Sequence, residues 1–169
     1  MSTNLYDVTV PVFTQMLGNL TAILDKAAAH AEAKKIDPAV LLSARLFPDM
    51  FPLTRQVQIA CDFARGGVSR LAGAEPDKWE DNEATIEALK ARIANTQAAI
   101  ARFGRDAFAA ATEREIELKL RGEPVRMNGL AYLNRMVLPN FYFHTTTAYD
   151  ILRHNGVELG KRDFIGALP

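Results

Sequence analysis

The chain has 169 residues, 49% hydrophobic and 24% charged, which is globular composition and enough length for a buried core. Twenty basic residues balance twenty acidic ones, so the net charge is zero; binding to nucleic acid through a basic face is not expected. The one cysteine, Cys61, rules out an internal disulfide and any cysteine-based zinc cluster.

Between Val8 and Ala33, apolar residues recur at helical spacing (Phe13, Leu17, Leu20, Leu24, Ala27, Ala31), which predicts a long amphipathic first helix. Pro11 falls where a first turn accepts proline. His30 lies beside the stripe and reads as a partly exposed surface histidine. A connector follows with a short helical piece, Pro38 to Ala44. The run Phe47-Pro48-Asp49-Met50-Phe51-Pro52 cannot be regular helix, because each proline biases its predecessor toward extended backbone. Its large apolar side chains are expected to cover one end of the fold or to form a subunit contact.

Helix two begins near Pro52, with the stripe Leu53, Val57, Ala60, Ala64, Val68 and Leu71 and with Cys61 alongside in the core. Gly66-Gly67 marks a weak point or a close helix crossing. Gln58 and Asp62, four apart, share one face. They read either as boundary residues, with Asp62 pairing Arg65 or Arg55, or as ligands facing a cavity. Gly73 to Glu80 reads as a loop in which Trp79 is a packing anchor or a ligand-stacking platform. Asp81 or Asn82 can cap helix three, which carries Ile86, Leu89, Ile93, Thr96, Ile100 and Phe103 and stops at Gly104.

After a short helical piece, 105–111, the period changes. Residues 115–120 alternate polar and apolar, 121–124 read as a turn, and 125–127 return, which predicts a small β-hairpin. Residues 129–138 form a short helix, and Pro139 must kink or break it. The last long helix, Asn140 to His154, turns Phe141, His144, Ala148 and Ile151 inward and ends at Asn155-Gly156. The tail packs back through Val157, Leu159, Phe164 and Ile165. The expected fold is mainly α, a single domain over 1–169: a four-helix bundle with a long crossover between helices two and three and a β-hairpin before a kinked helix four. Helices one and two are candidate antiparallel neighbours.

The stretch Asn140-Phe-Tyr-Phe-His144, followed by Ile151-Leu152-Arg153-His154-Asn155-Gly156, resembles the fourth-helix pattern of the DinB/YfiT-like superfamily, H-x-x-x-H and then L-R-x-x-G. With the following Gly160-Lys-Arg-Asp-Phe164 it resembles more closely a bacterial family of domains of unknown function within that superfamily. The resemblance runs nearly the full length and implies a DinB-like four-helix bundle. Metal-binding members hold zinc or nickel with a helix-two histidine and the H-x-x-x-H pair, since residues i and i+4 share a helix face. Here His144 matches the second histidine, Asn140 stands at the first, and helix two offers no histidine, with Gln58 and Asp62 as the nearest substitutes. The resemblance therefore implies a degenerate metal site of His144, Asn140, Asp62 and Gln58.

Three readings of His144 follow. The first is a non-catalytic bundle that has lost its metal and serves as a small-ligand-binding or homodimeric interaction module. The second is a metal-dependent small-molecule transferase or hydrolase of DinB/YfiT type that uses His144 as ligand or base, with Zn or Ni as the possible ion and Asp62 orienting the ring. The third is a core histidine satisfied by a neighbouring hydroxyl or carboxylate. No nucleophile constellation, phosphate loop or nucleotide cofactor motif is visible. The residues MSTNLYDVTV have neither the basic start nor the apolar run of a signal peptide, and no apolar run approaches a membrane span; a cytoplasmic setting without membrane or nucleic-acid partners is expected.

Overall fold

The computed structural model describes residues 4–120 and 122–167; Arg121, in the expected hairpin turn, lies outside them. Helix α1 (Val10–Lys34) has Pro11 in its first turn and ends on Lys35, whose backbone is left-handed at φ 56°. Short α2 (Pro38–Ser43) is capped by the Asp37 carboxylate, which accepts the Ala39 N–H at 2.9 Å. Helix α3 (Leu53–Leu71) follows the 44–52 loop. Helix α4 (Ile86–Ala101) starts later than expected: its cap is Thr85, whose hydroxyl accepts the Ala88 N–H at 3.0 Å, and not Asp81 or Asn82. Asp81 is engaged by arginines instead, as described below.

A 3₁₀ turn (Arg105–Phe108) leads to β1 (Glu115–Leu120), which pairs antiparallel with β2 (Glu123–Asn128), setting Ile116 opposite Met127 and Glu117 opposite Arg126. Ile116 is buried and anchors the hairpin to the bundle. The chain then enters α5 (Gly129–Tyr132), a π turn (Leu133–Val137) and α6 (Leu138–His154) without interruption. Of the kink or break expected at Pro139, no break occurs; the irregularity is the π turn just before it. Proline lacks the donor for the α-helical bond, and the wider π turn just before it accommodates the loss. The tail forms α7 (Lys161–Ile165) on α1, where Asn19 donates to the Phe164 carbonyl at 2.9 Å and Lys26 pairs with Asp163. Val157 and Leu159 are buried as expected, but Ile165 is on the surface.

Helix α3 is the centre of the bundle, packed most extensively on α6 and next on α4. Helix α1 packs on α4 and meets α6 through Phe13 and Phe141, whose ring centroids are 4.5 Å apart. It touches α3 only slightly, so the first two long helices are not the neighbours that chain order suggested. Because α3 has neighbours on two sides, 13 of its 19 residues are buried, many more than one stripe provides. The loop expected to cover an end leaves Phe47 and Phe51 exposed, at 63% and 55%.

Gly67 is a close crossing. A Cβ there would lie 2.5 Å from Val137 Cγ1, so α3 and the π turn approach closely because the side chain is absent. Gly67→Ala is expected to lower stability by about 1–3 kcal/mol through overpacking. Urea unfolding of Gly67→Ala, Val137→Ala and the double variant checks this: the double variant should recover part of the loss, and independent costs would contradict the contact.

Candidate functional site

His144 lies on the face of α6 that meets α3, 8% exposed. Its Nδ1 is 2.7 Å from Gln56 Oε1. The Gln56 amide nitrogen donates to the Phe51 carbonyl at 2.9 Å, and this fixes which end of the amide faces the ring. Nδ1 therefore carries the proton and donates, and Nε2 keeps the lone pair. Phe63 stacks on the imidazole with centroids 6.2 Å apart, and Phe143 meets it edge-on at 5.2 Å. Burial, reinforced by the positive charge of Arg55, lowers the His144 pKa to about 4. The ring is neutral at pH 7 and a weak base.

The other three candidate residues point elsewhere. Gln58 donates to Glu83 at 2.8 Å and accepts from Arg55 at 3.3 Å. Asp62 accepts from Arg65 at 2.9 Å and from Arg92 at 2.8 Å. The pairing of Asp62 with Arg65 is the boundary arrangement expected of it. Asn140 donates to the Met136 carbonyl at 2.7 Å, inside its own helix. At about 100° per residue, Gln56 lies some 200° around α3 from Gln58, so the two glutamines serve different neighbours. Gln56 is the partner that sequence reasoning missed. Its signal was available: it stands three after Leu53 and four before Ala60, beside the apolar stripe.

These donors do not fit a transition metal. The side chain that meets the imidazole is the neutral amide of Gln56, itself hydrogen-bonded to a carbonyl, and an amide lacks the basic nitrogen such ions prefer. Among the described residues no group of three His, Cys, Asp or Glu side chains could hold an ion. Cys61 is fully buried, and burial pushes its thiol up to about 12, so it is inert core.

Gln58 and Asp62 belong to a network centred on Arg92 of α4, whose side chain is 2% exposed. Its guanidinium reaches Asp62 at 2.8 Å, Asp81 at 2.9 Å, Glu83 at 2.9 Å and the Glu80 carbonyl at 3.0 Å. Burial alone would lower the Arg92 pKa; the Glu83 hydrogen bond and the Asp62 charge outweigh it and raise the pKa. Arg65 donates to the Asp77 carbonyl at 2.5 Å and lies over the Trp79 ring at 3.9 Å. Loop 72–85 is thereby held beside α3, and the space between this loop, the hairpin and the π turn is a cleft of about 600 Å³. Phe63, Trp79, Tyr132 and Met136 give it apolar walls, and Arg65 and Arg70 line it as well. Trp79 thus anchors the loop and faces the cleft.

Residues 5–165 match the family described as "Domain of unknown function (DUF1993)". The crystal structure of a DinB family member protein from Shewanella denitrificans is 48% identical and superposes with a TM-score of 0.93. The match covers 98% of this chain and 93% of that one. No curated protein matches the chain. The agreement in fold and family is that implied by the fourth-helix resemblance.

The His144 environment has a consequence for pH. An unfolded imidazole takes up a proton near pH 6.5 and the folded one near 4, so between these values the unfolded chain binds more protons. Stability is expected to fall as pH drops from about 6.5 to about 4, by up to about 3 kcal/mol from this residue. Urea unfolding at pH 7 and pH 4.5 should show a smaller loss in His144→Gln than in the unaltered protein; equal losses would contradict the assignment.

Proposed function

The chain belongs to the DUF1993 family of domains of unknown function, and from that premise we propose that it is a non-catalytic bundle that binds a small ligand without a metal. One observation carries this reading, the cleft beside α3. At about 600 Å³ it lies in the size range of small-molecule sites, with aromatic walls and charged side chains of both signs, Asp62, Glu75 and Asp77 among them. Two further observations favour binding over catalysis. A base with a pKa near 4 gives little driving force for proton abstraction at neutral pH, and Cys61 stays a protonated thiol. The metal-dependent transferase or hydrolase reading has the free Nε2 lone pair of His144 in its favour and the surrounding donor set against it.

Trp79 is the only tryptophan, so its indole N–H gives one resonance that reports on the cleft. Titration with a neutral aromatic probe, 4-phenylbutyramide, should shift that resonance saturably, while elemental analysis of the purified protein finds substoichiometric metal. Stoichiometric zinc or nickel that is lost in His144→Ala would favour the enzyme reading instead.

A homodimer is the second reading, favoured by the exposure of Phe51 and Phe143 beside the Gln56–His144 pair. Exposed aromatic side chains at one site are common anchors of protein contacts. Sedimentation should give a dimer mass that becomes monomeric in Phe51→Ser/Phe143→Ser; a monomer in the unaltered protein would end this reading.

A further inference from the structure

We propose that the cleft recognises an organic anion, a carboxylate or similar group on an aromatic or apolar body, with the charge held between Arg70 and Arg114. The inference rests on the ligand-binding reading above and adds the chemical class of the ligand.

A second pocket of about 400 Å³ lies toward the hairpin, lined by both arginines. It adjoins the cleft, with which it shares Arg70, Glu75, Leu118 and Lys119. The arginines around the cleft differ in how they are paired. Arg65, Arg92 and Arg102 each meet a carboxylate within 3.0 Å. Arg70 and Arg114 meet none within 4.0 Å among the described residues. Among the described residues Arg70 donates to neutral oxygens, the Gly66 carbonyl at 3.3 Å and the Tyr132 hydroxyl at 3.2 Å. Among the described residues Arg114 Nη1 is buried with no hydrogen-bond partner; the other such donors, Nε of Arg65 and Nε of Arg92, belong to guanidiniums already paired with a carboxylate.

The backbone is shaped around the two guanidiniums. A Cβ on Gly73, at φ +83°, would lie 2.0 Å from Arg114 Nη1, and one on Gly66 would lie 2.8 Å from Arg70 Nη1. Both guanidiniums therefore lie close against the backbone of α3 and its exit, where these glycines carry no Cβ. The acidic residues of this second pocket do not neutralise them. Glu117 is held by Arg126 across the hairpin at 2.8 Å, Glu115 faces the same arginine at 4.0 Å, and Glu75 is exposed on the loop. Lys119 adds a further positive charge. Two guanidiniums without carboxylates are a natural match for an oxyanion. The adjoining walls of Trp79, Tyr132 and Phe63 suit a flat or apolar body.

A matched pair of probes, 4-phenylbutyrate and 4-phenylbutyramide, tests the proposal by titration of the Trp79 indole resonance and by calorimetry. In the unaltered protein the acid should bind at least about tenfold more tightly than the amide, since a hydrogen bond to a charged group is worth about 1.5–3 kcal/mol. Arg114→Gln should bring the ratio close to one while amide binding persists. Equal binding of acid and amide to the unaltered protein overturns the anion assignment and leaves the ligand-binding reading standing; the ratio in that protein decides whether or not the variant folds. Failure of both probes to move the Trp79 resonance overturns the ligand-binding reading as well.

Discussion

The structure of the cleft depends on one buried guanidinium. Arg92 draws acceptors from α3 (Asp62) and from the loop (Glu80, Asp81, Glu83) to a single point on α4. A charge this deeply buried is costly unless paired with carboxylates, and the loop supplies two of them. Loop 72–85 is long for a segment without regular structure, and loops of that length are usually free or functional. Here it is held along its second half. The shared partner Asp62 also fixes Arg65, and Arg65 fixes Trp79. One side of the cleft is thus a consequence of how a buried arginine is satisfied.

The His144–Gln56 pair solves a similar problem with neutral groups. Between α3 and α6 an imidazole and an amide orient each other, and the Phe51 carbonyl fixes the amide. Such a pair tolerates burial because no formal charge is present, and burial then suppresses the charge that protonation would create. It also fixes the tautomer, which an isolated ring would not do. The pair holds α3 to α6 beside the exposed Phe51 and Phe143.

The fold was legible because local patterns carry it. The stripes Phe13–Ala31 and Ile86–Ile100 and the alternation of 115–120 each specify an element without knowledge of its partners. The start of α4 was not legible. Asp81 and Asn82 have good capping chemistry, and nothing local says that Arg92, about ten residues on, draws Asp81 away and leaves Thr85 as the cap. The histidine was legible as an inward residue; the spacing of Gln56 from Leu53 and Ala60 marks it as buried, but that it meets α6 while Gln58 meets Glu83 follows only from the placement of the helices around α3. Pro139 suggested a break because the rule concerns an α-helix, and the chain enters a π turn before reaching it.

That π turn also sets the gearing of the last long helix. Its bonds reach one residue farther than α-helical ones, so everything after it is rotated by about 100° relative to a continuous α-helix. The phase that aims His144 at Gln56, with Phe143 at its edge, is therefore counted out at residues 133–137, two turns upstream. Loss of one residue there would leave every side chain of α6 intact and turn a different one toward α3. Any comparison of this helix with its relatives has to align the π turn first, because a motif can keep its spacing and still face the wrong way.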